Sequence, residues 1–346
     1  MPAVLGLDIG GANLKAATST GQAFTLPFPL WKQPDKLTGG IIELLLRLPH
    51  QGKVAVTMTG ELCDCFPNKA AGVRHILAAV EDALRERPVF VWRNDGKWAS
   101  IKHAIDDPQP VAAANWLASA TYAGRYLTTC PGWFFDLGST TLDMIPMLDG
   151  KPVPKGKTDL ERLGAGELAY LGASRTPVTS LVQYLEIEGE AVTVAAEFFA
   201  SLDDVMILSK HIVDDSKDRN TADGQPRTKE HARQRLARMV CADADELGDE
   251  NIESMCEQIM DAFRKKLGSS LRIAHARRND QLQDMRGGII MAGSGEGFLA
   301  EELAEFVDQG AHTSPVISMA GRVGAELSTA LAAYSVAILL SERQSR

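Results

Sequence analysis

Short apolar runs broken by glycine and small polar residues open the chain. Val4-Leu5-Gly6-Leu7-Asp8 reads as a strand, Leu14 to Thr18 as a second after a glycine pair, and Ala23 to Phe28 as a third beyond the turn residues Ser19-Thr20-Gly21-Gln22. Leu37 to Leu48 carries helical periodicity, and Lys53 to Met58 is again strand-like. Ala70–Arg87, Val111–Ala123, Thr228–Cys241 and Ile252–Leu267 read as helices; in the last, Ile252, Met255, Ile259, Phe263 and Leu267 share one face. Strands first, then helices and strands in alternation, predict an α/β protein. The mostly apolar run Ala330–Leu340 is about half the ~20 residues a bilayer span needs, so it reads as a buried helix.

The pattern also repeats. Asp8-Ile9-Gly10-Gly11-Ala12-Asn13-Leu14-Lys15 lies over Asp136-Leu137-Gly138-Ser139-Thr140-Thr141-Leu142-Asp143 at an offset of 128 residues. Each copy ends a strand with Asp-x-Gly and starts a second strand that runs to a turn, Thr20-Gly21 in one and Asp149-Gly150 in the other. Two duplicated lobes with a cleft between them follow as the expected architecture. Lobe one would take residues 1–130 plus 318–346, the final helix (Gly324 to Ser341) returning to it, and lobe two residues 131–317.

Composition narrows the classes. The 346 residues carry 36 Lys and Arg against 45 Asp and Glu, a net charge of −9, with no dominant basic tract, so no nucleic-acid partner is expected. Five scattered cysteines (Cys63, Cys65, Cys130, Cys241, Cys256) read as reduced thiols of a cytoplasmic protein rather than a disulfide framework. Met1-Pro2-Ala3-Val4 has no basic segment and no long apolar stretch behind it, so neither a signal peptide nor a membrane partner is expected. Assembly into a homo-oligomer is left open.

A strand-end carboxylate followed by glycines and small hydroxyl residues has a specific physical use. Glycine lets the backbone approach a phosphate, and successive N–H groups then form an anion-binding nest. Ser139, Thr140 and Thr141 add hydroxyl donors, and Asn13 and Lys15 add donors opposite. Asp8 and Asp136 repel phosphate but suit Mg²⁺, which takes carboxylate, water and phosphate oxygens together. Two such copies facing each other would clamp a diphosphate. A third glycine turn, Ala292-Gly293-Ser294-Gly295, follows a buried strand and precedes a helix from Phe298; it lacks dinucleotide-fold spacing. Gly150-Lys151-Pro152-Val153-Pro154-Lys155-Gly156-Lys157-Thr158 imitates a P-loop, but its spacing is one residue too long and its prolines remove the donors such a loop needs. The cationic stretch Arg227, Lys229, Arg233, Arg235 and Arg238 reads as a solvated helix face. Cys63-Asp64-Cys65 lacks the partners of a zinc site.

The two Asp-x-Gly hairpins with the Gly293 turn resemble the phosphate-1, phosphate-2 and adenosine motifs of the superfamily of actin, heat-shock chaperone ATPases and sugar kinases, implying two duplicated actin-like (ribonuclease H-like) lobes. Leu7–Lys15, Thr57–Phe66, Ala113–Leu117, Leu137–Thr141, Asp159–Leu163, Gly166–Tyr170 with Arg175-Thr176-Pro177, and Ala222–Gly224 with Arg235–Met239 together resemble more narrowly the tetrahydromethanopterin-linked one-carbon-pathway proteins labelled hydantoinase/oxoprolinase-like. Archaeal members of that group are furan-methanamine synthases. The resemblance implies a transferase of methanofuran or methylofuran biosynthesis that joins an (aminomethylfuranyl)methyl diphosphate to the phenol oxygen of a tyramine- or tyrosine-type acceptor and releases pyrophosphate.

On that reading Gly10, Gly11, Asn13, Lys15, Gly138, Ser139, Thr140 and Thr141 hold the diphosphate, and Asp8 and Asp136 hold Mg²⁺. Glu61 is the first candidate base, with Asp64 and Asp143 behind it; it is equally placed to be a carboxylate at a helix start. Lys15 supplies catalytic charge, and Asp64, Asn115, Gly293, Ser294 and Gly295 bind substrate. Arg175 either recognises an acceptor carboxylate or locks its own turn through a salt bridge. ATP is not required here. An ATP-dependent small-molecule kinase, with adenosine at Gly293, is the main alternative; a nucleotide-sensing or filament-forming actin relative and an amidohydrolase are weaker ones.

Overall fold

The computed structural model describes residues 3–48, 52–277, 287–300, 303 and 315–343. Met1, Pro2 and parts of the expected second lobe (278–286, 301–302 and 304–314) lie outside them.

A six-stranded sheet is built from β1 (Leu5–Ile9), β2 (Asn13–Thr18), β3 (Ala23–Pro27), β4 (Val54–Met58), β5 (Val89–Trp92) and β6 (Trp98–Ala99), in the order β3-β2-β1-β4-β5-β6. The strands β1, β4 and β5 are parallel, and the others pair antiparallel. The second sheet takes β7 (Gly132–Leu137), β8 (Leu142–Leu148), β9 (Lys151–Pro152), β10 (Leu168–Ala169), β13 (Gly288–Ala292) and β14 (Val316–Ser318), in the order β10-β8-β7-β13-β14 with β9 also on β8. A separate hairpin joins β11 (Tyr184–Ile187) to β12 (Glu190–Thr193). Each large sheet thus starts with an antiparallel hairpin and adds parallel strands on its other side. This is the duplicated actin-like arrangement, a two-lobed α/β fold.

Helices α1 (Leu37–Arg47), α2 (Lys69–Leu84) and α3 (Ile101–Asp106) belong to the first lobe, and α4 (Asn115–Ala123) follows. The second lobe carries α5 (Asp159–Ala165), α6 (Leu202–Leu208), α7 (Lys229–Arg238) and α8 (Ala244–Ala276), the last kinked at Gly248.

Strand alternation sorts the residues of β1 between two cores. Leu5, Leu7 and Ile9 join α1 and α2 in one buried cluster. Gly6 turns to the other side, where a Cβ would lie 1.8 Å from the main-chain oxygen of Ala333 in the helix Leu331–Arg343. That helix lies on β1, β2 and β4 and packs against α4. Strand β7 repeats the division: Trp133, Phe135 and Leu137 face the α8 side. Phe134 joins a core shared with Trp116 of α4 and Val336. The same parity that buries Leu7 and Phe135 carries Asp8 and Asp136 to the side between the lobes.

Three expected elements differ. The helix read over Val111–Ala123 begins only at Asn115, because Ala113 takes φ +46° and breaks the helical path. The helix read from Gly324 to Ser341 is two, Ala325–Thr329 and Leu331–Arg343. The cationic stretch is a solvated face only in part, with Lys229 and Arg238 exposed. Arg235 is fully buried against Asp204 and Asp223, Arg238 meets Asp223, and Arg227 meets Asp203 and Asp218. A charge buried this deeply needs such partners.

Candidate active site

A cavity of about 290 Å³ opens between the two hairpins. The register of each hairpin explains what faces it. Asp8 is opposite Lys15 across β1–β2, and Asp136 is opposite Asp143 across β7–β8. The turns close alike: Gly10 N–H donates to the Asn13 carbonyl at 3.1 Å and Gly138 N–H to the Thr141 carbonyl at 2.9 Å. Each turn is then clipped from behind. Phe28 and Leu30 donate their N–H groups to the carbonyls of Ala12 and Gly11, both at 2.9 Å. In the second lobe Ala173 donates to Gly138, and Ser174 and Arg175 to Ser139, at 3.0, 3.2 and 2.8 Å. Tying these carbonyls down is what a turn needs if its N–H groups are to face an anion.

Asp8, Gly10, Gly11, Asn13 and Lys15 line the cavity from one side. Asp136, Gly138, Ser139, Thr140, Thr141 and Asp143 line it from the other. Asn115, Arg175, Gly293 and Ser294 are also on the wall. Gly293 has φ +96°, and a Cβ there would come within 2.4 Å of the Asp136 carboxylate, so the third turn needs glycine at this point. Gly295 is buried behind the wall, its N–H on the Leu137 carbonyl at 2.9 Å, and Asp64 is exposed outside it.

The site is rich in desolvated charge. Burial pushes the Asp8 carboxyl up to about 6, against the pull of Lys15. Asp136 is pushed up to about 7, by burial first and then by the Asp143 charge. Burial also raises Asp143, which the Arg162 guanidinium opposes. Lys15 lowers both Asp8 and Asp136 and donates through Nζ to the Thr329 carbonyl at 2.7 Å. Glu61 stands behind the wall, 1% exposed, with neither carboxylate oxygen in hydrogen-bonding geometry; burial pushes it up to about 7.

The family model described as hydantoinase/oxoprolinase matches residues 53–337, which take in the second sheet, the strands β4, β5 and β6 of the first, and the second and third turns. The chain belongs to this family. Two relatives bear the name (4-{4-[2-(gamma-L-glutamylamino)ethyl]phenoxymethyl}furan-2-yl)methanamine synthase. That of Methanocaldococcus jannaschii is 31% identical over 346 residues, covering 98% of each chain. That of Methanococcus vannielii is 31% identical over 206 residues, 59% of this chain and 88% of its own. Among solved structures, a nucleotide-free acetone carboxylase aligns at 10% identity with a TM-score of 0.55, over 97% of this chain and 70% of that one, and so shares the fold.

Within this hydantoinase/oxoprolinase chain, several wall residues lie in motifs that carry the family resemblance but have no role in the sequence reading. Arg162 of α5 is buried, bonded to Asp143 and to the Glu167 carbonyl, and its guanidinium lies 4.2 Å from the Trp116 ring centroid. Asp159 of α5 reaches Lys69 of α2 at 3.6 Å, joining the lobes beside the cavity. The usable signal was Thr158-x-x-Glu161, which forms a capping box and fixes the start of α5. Tyr170 is on the wall too, its phenol raised by burial and by Asp159. The P-loop imitation is explained: Lys155 and Gly156 give their N–H groups to the Glu167 carboxylate at 2.7 and 3.0 Å, leaving them unavailable to a phosphate. Arg175 makes no ion pair among the described residues; its guanidinium lies 4.4 Å from the Trp31 ring centroid.

Magnesium can be tested against this donor set. Among the described residues no group of three or more His, Cys, Asp or Glu side chains could hold a metal ion. Asp8 and Asp136 supply two hard oxygen donors, and Oδ1 of Asp8 is buried without a partner. A hard cation that also takes phosphate oxygens and water satisfies that orphan, so the residues fit. Among the described residues no helix is long and apolar enough to cross a membrane, and all five cysteines are free thiols.

Proposed function

We propose that this chain is a transferase that couples an (aminomethylfuranyl)methyl diphosphate to the phenol oxygen of a tyramine- or tyrosine-type acceptor, releasing pyrophosphate. The observation that carries the reading is the full-length likeness to a synthase of a furanyl aryl ether, in a chain whose two clipped glycine turns share one cavity.

In this reading the ester C–O bond to the diphosphate breaks, the phenol oxygen bonds to the same carbon, and the phenol proton leaves. Gly11 and Asn13 receive the leaving diphosphate on one side and Ser139, Thr140 and Thr141 on the other, while Gly10 and Gly138, whose N–H groups close the turns, leave room for its approach. Lys15 adds a fixed positive charge where negative charge develops, in a water-poor site where such groups act most strongly. Asp8 and Asp136 would hold Mg²⁺, which when bound supplies charge neutralisation of the leaving group. Asn115, Gly293 and Ser294 shape the remaining wall for the organic parts of the substrates.

A phenol of ordinary pKa about 10 attacks best when its proton has an acceptor near neutrality. Glu61 has that property, though it stands one layer behind Leu62 and Cys63; one water or a small shift of the turn at residues 60–62 has to link it to the cavity. Asp143 is held by Arg162 and so serves as a fixed negative charge.

The decisive assay measures pyrophosphate release from the furanylmethyl diphosphate in Mg²⁺ buffer without ATP. Acceptor-dependent release with the ether mass is expected. Release only with ATP, or none beside tight ATP binding, overturns the reading in favour of a kinase. A Glu61→Gln enzyme should lose the acidic limb of the pH–rate profile; an unchanged limb removes Glu61 as the base.

A further inference from the structure

The two clips do more than hold the turns. In the first lobe the clip at Phe28 and Leu30 is followed directly by Trp31; in the second it ends at Arg175. Arg175 crosses the cleft, so that its guanidinium lies 4.4 Å from the Trp31 ring centroid. The equivalent devices of the two lobes therefore touch over the cavity that both turns line.

Arg175 is an unusual cation for its surroundings. It lines the cavity, and burial lowers its pKa. The two other cations on the wall are engaged: Arg162 by Asp143, and Lys15 by the Thr329 carbonyl with Asp8 nearby. Among the described residues Arg175 has no carboxylate partner, and its planar face is taken by an indole rather than by an anion. A guanidinium stacked on an aromatic face keeps its in-plane N–H donors free for a planar or forked oxyanion.

We propose that Arg175 is an oxyanion seat of this cavity and that Trp31, a residue of the opposite lobe, is its positioning residue. The proposal rests on reading the cleft as a site for a diphosphate and a phenolic acceptor. Two anions of such a reaction share the required chemistry, the diphosphate group and a carboxylate on the acceptor. Because the arm of the seat comes from one lobe and its support from the other, the seat is complete only when the lobes are together.

Equilibrium binding decides this without turnover, so an absence of ether formation would overturn the proposed reaction and leave the seat separately testable. Two probes are titrated calorimetrically into the full chain in Mg²⁺ buffer: inorganic pyrophosphate, and 4-hydroxyphenylpropanoate with tyramine, whose ammonium tail has no oxyanion, as its control. Arg175→Ala should weaken at least one anion about tenfold, and leave tyramine unchanged. Loss on pyrophosphate places the seat at the leaving group; loss on the propanoate places it at the acceptor.

Trp31→Ala should reproduce most of that loss, Trp31→Phe should restore it, and the double variant Trp31→Ala/Arg175→Ala should be no weaker than Arg175→Ala alone. Arg175→Lys, which keeps the charge but not the stacked plane, should behave like Arg175→Ala, and this holds the test open if Trp31→Ala fails to fold. Unchanged affinity for both anions in Arg175→Ala overturns the seat. Independent, additive losses from the two residues overturn the role of Trp31.

Discussion

The two hairpins that face the cavity have the same frame and opposite charge logic. In the first, Asp8 looks across the ladder at Lys15; in the second, Asp136 looks across at Asp143. The missing cation of the second copy has been moved, not lost. In the first lobe β3 runs unbroken along β2, whereas in the second the equivalent edge is split into β9 and β10, with residues 153–167 inserted between them. That insertion carries α5, and α5 brings Arg162 to Asp143. The first copy carries its counter-charge within the hairpin, while the second receives it from an added helix. The second arrangement leaves Asp136 without a cation across its ladder, and burial together with the Asp143 charge pushes its carboxyl up to about 7, against about 6 for Asp8.

Breaking the relocated pair should have the largest effect. Arg162→Leu leaves Asp143 buried and unpaired, at an expected cost of about 3–5 kcal/mol in urea unfolding, and Arg162→Leu with Asp143→Leu should recover most of it. A single variant as stable as the wild type would mean that α5 does not carry the counter-charge.

Next come the strand-end carboxylates. Asp8→Asn and Asp136→Asn should each lower turnover about a hundredfold and abolish its dependence on Mg²⁺ concentration. If only one does so, the two copies are not equivalent holders of the ion.

The pH dependence of the ligand-free protein should separate the copies further. Folding raises both carboxyls, so the unfolded chain ionises first; the stabilisation is complete below about pH 4 and is lost as pH rises through the folded values of about 6 and 7. Between pH 5.5 and 8 Asp136 should account for about 2 kcal/mol of lost stability and Asp8 for about 1 kcal/mol. Unfolding curves of the two Asn variants across that window would show the larger flattening for Asp136→Asn, and the reverse ranking would contradict the charge comparison.

The smallest effect concerns the turns. A Cβ on Gly10 would meet the Asn13 main-chain oxygen at 2.8 Å, but one on Gly138 would sit 3.6 Å from that of Thr141. Gly10→Ala should therefore weaken pyrophosphate binding about tenfold and Gly138→Ala by about twofold or less, both read by calorimetry.

Much of the frame was legible because it is local. The alternation of β1 and β7, the Asp-x-Gly endings and the matching turns all lie within a few residues of one another, and parity then fixes which side Asp8 and Asp136 face. What escaped depends on distant partners. No local signal marks Ala113 as the break before α4, since alanine usually favours a helix, yet here it takes a positive φ. Arg235 looked solvated because Asp204, which buries it, lies far away in the sequence. Trp31 and Arg175 meet only across the cleft. Glu61 was legible as a carboxylate after a strand, but its place behind the wall depends on α2, against which its backbone is pressed at Gly72.

The contact between Gly6 and the Ala333 main chain sets an order of events during synthesis. Strand β1 leaves the ribosome well before the helix that covers its inner face, and the whole second lobe is made between them. At about 5–20 residues per second, that face stays uncovered on the order of tens of seconds while the whole second lobe is being made. The first sheet therefore spends its early life as an open surface awaiting its cover, and a chain cut short before the helix Leu331–Arg343 would carry every strand of that sheet with one face bare.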